Sequence, residues 1–217
     1  MNPRGVTVCA VPVKDLANAK QRLVPALGPA ERRALAGAML RDVLAALAGS
    51  GLDAVWVVTR DPEVFAIARG LRVEALAPAE EENSSHTAAV AFAQAEAARR
   101  GARAFLTVPG DVPAATPAEI RALAGAAGPG APAFVPSRSG HGTNGVALAP
   151  PAAMPLKFGE PSFENHLSAA RAGGLEPRVL RLRGLGLDVD APEDLAALVR
   201  EAPDTESARL VRAWSRP

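Results

Sequence analysis

The chain has 217 residues, of which 48% are apolar and 22% charged, and its formal net charge is +1. A chain of this length can bury about 70% of its unfolded surface in one domain, and this composition excludes a disordered protein. The near-neutral charge and the lack of interleaved aromatic residues argue against a nucleic-acid partner. No apolar run approaches the ~20 residues that span a bilayer, so we expect no membrane partner.

The N-terminus lacks the features of a signal peptide, and Cys9 is the one cysteine of the chain. A lone cysteine cannot form an internal disulfide, and it has no cysteine neighbour with which to share a metal. We therefore expect a reduced, cytoplasmic setting. The sequence leaves a homodimer open.

Apolar runs alternate with helical stretches through the first 128 residues, which is the βαβα pattern of a parallel sheet covered on both faces. The predicted strands are 6–13, 54–59, 72–76 and 104–108. The predicted helices are 29–48, 62–69, 87–100 and one from Thr116 to near Gly125. The pattern predicts an α/β fold.

After Gly128 the chain becomes rich in proline and glycine, and we interpret this half as loops and antiparallel additions to the same sheet, within a single domain over 1–217. The predicted elements here are apolar pieces at 133–136 and 145–148, a loop at 150–161, a helix at 162–172, a strand at 178–182, the segment 185–190 and a last helix from 191. We expect the tail after Ala202 to be loosely held.

Three aspartates are candidate metal ligands. Asp188 and Asp190 end an apolar run one residue apart, and in an extended segment such side chains point to the same face, where their oxygens can hold a hard cation such as magnesium. Asp111 follows the strand 104–108, and open α/β sheets bind ligands beyond the carboxyl ends of their strands. The alternatives are that Asp190 caps the last helix and that Asp111 is a turn residue.

A basic loop follows the first strand and contains Lys14, Lys20 and Arg22, which can meet a nucleotide triphosphate and stabilise leaving pyrophosphate. A solvated basic loop is the alternative. There is no P-loop motif and no dinucleotide-binding G-x-G-x-x-G, and the chain also lacks the zinc-ligand spacing of histidines and the G-x-S-x-G elbow of hydrolases.

Two glycine-bearing turns can hold a phosphate or carboxylate. Thr143 lies in a glycine-rich turn, and Gly159 precedes the helix that begins at Ser162. Backbone N–H groups at the glycine and the helix start, with the two hydroxyls, would bind the anion. Ser162 could equally be a plain helix cap.

Taken in order, six segments resemble one family over nearly the whole chain. The family is the guanylyltransferase of deazaflavin coenzyme (coenzyme F-420) biosynthesis, within the wider MobA-like nucleotidyltransferases. The matching segments are V-P-V-K-x-L-x-x-A-K-x-R-L (11–23), A-M-L-R-D-V-L (38–44), P-G-D-V-P (109–113), G-T-N (142–144), F-G-x-x-S-F-x-x-H (158–166) and G-L-x-L-D-V-D-x-P-E-D-L (184–195).

This resemblance implies a Rossmann-like sheet, GTP as donor and a small phosphorylated acid as acceptor. The implied magnesium ligands and catalytic residues are Asp111, Asp188 and Asp190, with Lys20 as a further catalytic residue. The implied nucleotide-binding residues are Val11, Pro12, Lys14, Lys20, Arg22, His86 and Thr87. The implied acceptor-binding residues are Thr143, Asn144, Gly159 and Ser162.

One segment departs from the family pattern. Where many members carry G-L-N, this chain has Ser84-Ser85-His86-Thr87. Similar H-T variants occur in the proteobacterial branch, for which 3-phospho-D-glycerate is the proposed acceptor. We therefore favour 3-phospho-D-glycerate as acceptor, followed by phosphoenolpyruvate and 2-phospho-L-lactate. The departing segment precedes the helix that borders the nucleotide base in the family, so it also weakens the inference that guanine is the preferred base. The alternatives are a nucleotidyltransferase for another acceptor and a non-catalytic GTP-binding regulator.

Overall fold

Seven β-strands form one sheet in residues 5–214, the part of the chain that the computed structural model describes. The strands are β1 (Thr7–Pro12), β2 (Ala54–Val58), β3 (Glu74–Leu76), β4 (Ala104–Thr107), β5 (Ala133–Pro136), β6 (Thr143–Leu148) and β7 (Arg178–Val179). Their order across the sheet is β3-β2-β1-β4-β6-β5-β7. Only β6 runs antiparallel to its neighbours β4 and β5, so the predicted mostly parallel sheet with antiparallel additions is confirmed.

Helices cover both faces of this sheet. They are α1 (Pro29–Ala48), α2 (Pro62–Gly70), α3 (His86–Arg99), α4 (Pro117–Ala126), α5 (Ser162–Ala172), α6 (Pro192–Glu201) and α7 (Glu206–Trp214). Residues of α1, α2 and α4 pack on one face, and residues of α3 and α5 pack on the other. Among these seven helices, none combines the length and apolar character needed to cross a membrane.

Local signals place the helix ends close to their predicted positions. Asp61 caps α2 by accepting from the backbone N–H groups of Glu63 and Val64. The Ser85 hydroxyl caps α3 by accepting from the Ala88 N–H. Thr116 and Glu119 form a reciprocal capping box at the start of α4. Because these signals depend on short-range contacts, they can be read from the sequence.

The predicted strand at 178–182 is too long, because only 178–179 is a strand, and the segment 185–190 adds no strand to the sheet. The backbone turns at residues 182–187, where Gly186 N–H donates to Leu182 and Leu187 N–H donates to Gly184. These turn hydrogen bonds use backbone groups that a sheet ladder would need, so the segment lies outside the sheet.

The predicted loose tail is also wrong for the described residues beyond Ala202, because α7 packs on the outer side of α1. Ala208 and Val211 share a buried apolar cluster with Leu35 and Met39 of α1. Asp42 of α1 caps the start of α7, with its carboxylate accepting from the Glu206 and Ser207 backbone N–H groups at 2.8 and 2.9 Å. The signal was present in the sequence as the helical spacing of Ala208, Val211 and Trp214.

The order of connections creates a switch point beside β1. The chain moves outward from β1 to β2 and β3, and then returns to the opposite side of β1 as β4. The segments that follow β1 and β4 therefore diverge above neighbouring parallel strands, which is where open α/β sheets bind ligands.

Candidate active site

A buried lysine joins two of the predicted metal-binding aspartates at the switch point. Lys20 Nζ lies 2.6 Å from Asp111 Oδ2 and 2.7 Å from Asp190 Oδ1, and the lysine side chain is 7% exposed. Lys20 has a left-handed backbone with φ of 58°, which is uncommon for a residue other than glycine and is often found at functional sites. Asp190 does not cap α6, because Asp194 accepts from the Asp190 and Ala191 N–H groups instead.

The charge of Lys20 is stabilised in this position. Burial lowers its pKa, but attraction by Asp111 and Asp190, with a hydrogen bond to each, outweighs that effect and raises the pKa above its ordinary value. The lysine therefore remains an ammonium ion at neutral pH.

Asp188 takes a different partner from Asp190. Its Oδ1 accepts from Asn144 Nδ2 at 3.0 Å, and the same amide donates to the Gly186 carbonyl at 3.2 Å. Burial raises the pKa of Asp188, the Asn144 hydrogen bond opposes this, and the carboxylates of Asp111 and Asp190 raise it further. The carboxylates of Asp111 and Asp190 thus act on Asp188.

The two aspartates bonded to Lys20 carry more negative charge, when ionised, than the single lysine neutralises. Among the described residues, Asp111 Oδ1 is buried without a hydrogen-bond partner, and Lys20 is the one cation bonded to Asp111 and Asp190. Within residues 5–214, no cluster of three or more His, Cys, Asp or Glu side chains is already arranged as a metal site. Instead, the Lys20 ammonium lies between Asp111 and Asp190.

The loop after β1 borders a cavity of about 150 Å³ next to this cluster. Pro12, Lys14 and Lys20 line the cavity, and Lys14 Nζ donates to the Ser84 carbonyl at 3.3 Å, connecting the two predicted nucleotide-binding segments. Val11 is fully buried in the core, so its side chain cannot contact a nucleotide, and Arg22 is exposed on a 3₁₀ turn and does not line this cavity. A cavity of about 680 Å³ beside α2 and β3 contains none of the predicted site residues.

The start of α3 is attached to the predicted acceptor turn. The His86 ring packs edge-on against Phe158, with 4.6 Å between ring centroids. Thr87 Oγ1 accepts from the Phe158 N–H at 2.9 Å. The structure therefore brings His86 and Thr87 next to the turn that contains Gly159, whose φ is 108°.

Thr143 and Ser162 meet in a buried hydrogen-bond chain. Their hydroxyl oxygens are 3.1 Å apart, and Thr143 Oγ1 is 3.0 Å from His166 Nδ1. On the other side of the imidazole, Nε2 accepts from the Lys157 N–H at 3.0 Å. Ser162 is the first residue of α5 and its side chain does not cap the helix, so the plain-cap interpretation is wrong.

The family described as guanylyl transferase CofC like matches residues 7–215 of this chain. This chain belongs to that family.

Curated relatives of this CofC-like chain carry the same kind of name. The chain is 42% identical to the phosphoenolpyruvate guanylyltransferase of Sphaerobacter thermophilus, with 91% of this chain and 94% of the relative covered. It is 34% identical to the 2-phospho-L-lactate guanylyltransferase of Methanothermobacter thermautotrophicus, covering 95% and 90%. The resemblance inferred from the six motifs is confirmed.

A solved structure supports the fold of the CofC-like chain. A putative nucleotide-diphospho-sugar transferase from Desulfovibrio desulfuricans superposes with a TM-score of 0.76, at 15% identity, covering 95% of this chain and 94% of the other. At this identity the similarity shows the fold alone.

Two features of this CofC-like site were not predicted. Asn144 was predicted to bind the acceptor, but its amide is bonded to Asp188 and Gly186. His166 is absent from the predicted site, although it lies four residues after Ser162 and therefore on the same face of α5. That i, i+4 spacing was the signal that could have identified it.

Proposed function

We propose that this protein transfers GMP from GTP to a small phosphorylated carboxylic acid and releases pyrophosphate. The observation that carries the proposal is the cluster of Lys20, Asp111 and Asp190, with Asp188 beside it, at the switch point of the sheet. Family membership supports the same reaction. A non-catalytic nucleotide-binding protein would not need three acidic side chains next to an anionic ligand.

The site divides into two ends. Pro12, Lys14 and Lys20 would face the nucleotide, while Thr143 and Ser162, with the Gly159 backbone, would bind the acceptor. The Lys20 ammonium has three N–H donors and gives two of them to Asp111 and Asp190, so the third would be available to a triphosphate.

Magnesium fits this arrangement. Carboxylate oxygens are the ligands that magnesium prefers, and the buried, unpartnered Asp111 Oδ1 offers one such oxygen. Asp111, Asp188 and Asp190 would hold the ion, which when bound would neutralise charge on the phosphates.

The chemistry requires little from protein acids or bases. A phosphate oxygen of the acceptor would attack the α-phosphorus of GTP, forming the new P–O bond while the bond to pyrophosphate breaks. The attacking phosphate is already ionised at neutral pH, so no general base is needed. Both reactants are anions, and the lysines would contribute by holding them together and offsetting their repulsion.

Three phosphorylated acids are candidates for the acceptor. The names of the relatives support phosphoenolpyruvate and 2-phospho-L-lactate. The segment 84–87 favours 3-phospho-D-glycerate, which stays a prediction. A nucleotidyltransferase for a different acceptor is the remaining alternative.

Pyrophosphate release tests this proposal. The purified protein would be incubated with GTP, magnesium and each of the three acids in turn, with ATP and CTP as donor controls. Release with GTP and one acid alone would support the proposal and identify the acceptor. No release of pyrophosphate with any of the three acids would refute it.

Replacement of the aspartates tests their role. Asp111→Asn and Asp188→Asn should each lower turnover at least about 100-fold, because each removes a negative ligand for the metal. Asp204→Asn is the matched control, since that side chain is exposed and does not line the cavity beside Lys20. Native-like turnover in either site variant would contradict the assignment, and circular dichroism would show that the variants are folded.

A further inference from the structure

A connected chain of buried polar side chains lies behind the predicted acceptor site. His166 is 1% exposed, and its hydrogen-bond chain runs from the Lys157 N–H through the imidazole to the Thr143 and Ser162 hydroxyls. We propose that His166 is a positioning residue that orients these two hydroxyls so that they donate to an anionic group of the acceptor. This inference rests on the proposed function of the site.

The backbone fixes the position of the imidazole proton. The Lys157 N–H can only donate, so His166 Nε2 must be an acceptor without a proton. In a neutral imidazole the proton is then on Nδ1, which donates to Thr143 Oγ1. Burial lowers the pKa of His166 to about 4, so the ring is neutral at physiological pH.

This tautomer determines what the hydroxyls can offer. Each hydroxyl has one proton, and Thr143 Oγ1 already accepts from His166. Thr143 either donates to Ser162 Oγ, which leaves the Ser162 proton free, or accepts from Ser162, which leaves its own proton free. In both arrangements one proton remains for a ligand, and a carboxylate or phosphate can only accept.

The same ring also anchors the acceptor turn. His166 Nε2 holds the backbone at Lys157, and Thr87 accepts from the next residue, Phe158. These two contacts fix the chain immediately before Gly159. One imidazole therefore connects all the predicted acceptor-binding groups except Asn144.

Aromatic packing restricts the orientation of the imidazole. The ring stacks on Phe134 with 5.6 Å between centroids and a 13° interplanar angle, and Phe158 packs edge-on at 5.1 Å. A ring flip would place Nε2 and Nδ1 away from their partners, so the packing preserves the hydrogen bonds. A residue that only filled space would not need both nitrogens paired.

Two substitutions separate positioning from packing. His166→Asn retains an amide near the Nδ1 position that can donate to Thr143, whereas His166→Gln places its amide near Nε2 and loses that donor. The KM values for GTP and for whichever of the three candidate acids the native protein uses would be measured together with kcat. The GTP KM is the internal control, and thermal unfolding monitors the fold.

We expect His166→Gln to raise the acceptor KM about 10-fold, the effect of one lost hydrogen bond, with the GTP KM within about 2-fold of native. His166→Asn should restore the acceptor KM to within about 3-fold. Equal acceptor KM values in native protein and His166→Gln would overturn the proposal, as would equal losses in both variants.

The tautomer gives a readout that does not depend on turnover or on a folded variant. The chain has three histidines, so long-range ¹H–¹⁵N spectra of the native protein can resolve each imidazole. A proton on Nδ1 of His166 is expected, and a proton on Nε2 would overturn the proposal. If the native protein turned over no acid, the proposed function and the acceptor role of His166 would both fail, while the spectrum would still report the hydrogen-bond chain.

Discussion

The buried neutral imidazole of His166 should make the stability of this protein depend on pH in a defined window. Burial lowers its pKa from the usual 6.5 to about 4. The unfolded chain therefore binds more protons than the folded chain between these two values, and stability must fall as pH falls through the window. The contribution is fully present above pH 6.5 and is lost by about pH 4.

The size of this change in the free energy of unfolding follows from the pKa shift of His166. Each pKa unit corresponds to about 1.4 kcal/mol, so the whole shift is worth about 3 kcal/mol. Between pH 7.5 and pH 5, where most carboxylates stay ionised, the expected loss is about 2 kcal/mol. His166→Gln removes the titrating group, and the other ionisable groups are common to both proteins.

Urea unfolding at pH 7.5, 6.0 and 5.0 would measure this difference, with tryptophan fluorescence as the signal because Trp56 is buried in β2. The native protein should lose about 2 kcal/mol more than His166→Gln across this range. Parallel losses in the two proteins would refute the reasoning, because they would mean that His166 is not held neutral by the fold.

Three further predictions follow from other contacts. Asp42→Ala removes the cap of α7 and should lower the free energy of unfolding by about 1–2 kcal/mol in urea, whereas an unchanged midpoint would contradict the packing role of α7. Gly184→Ala places a Cβ 2.1 Å from the Ala114 carbonyl oxygen and should cost more than about 3 kcal/mol, while Gly70→Ala, which meets nothing within 4 Å, should be nearly neutral. Lys20→Ala should raise the GTP KM at least about 10-fold and more than the acceptor KM, and an effect confined to the acceptor would rule out the triphosphate contact.

The alternation of elements could be read from the sequence because its signals are local. Helix α1 runs from Pro29 to Ala48 as predicted, since proline at the first turn and the glycine that follows mark its ends. The apolar runs at β1, β2 and β4 are buried throughout or nearly so, as expected for strands covered on both faces. The apolar spacing of α7 could be read from the sequence, but its attachment to α1 could not, because the two helices are distant in sequence.

The site was predictable only in part. Lys20 and Asp111 could each be predicted because each follows a predicted strand, but their proximity depends on β4 lying next to β1, which the sheet order decides. The partners of Asp188 and Asp190 could not be predicted, because the turn at 182–187 directs one carboxylate to Asn144 and the other to Lys20.

The sequence by itself determined the α/β class, the family and the residue types available for phosphate chemistry, because short-range capping signals and ordered motifs encode them. Tertiary structure decided which groups are paired. Lys20 meets Asp190 across 170 positions and Thr143 meets His166 across 23, and such long-range pairings depend on how helices and strands pack rather than on local preference.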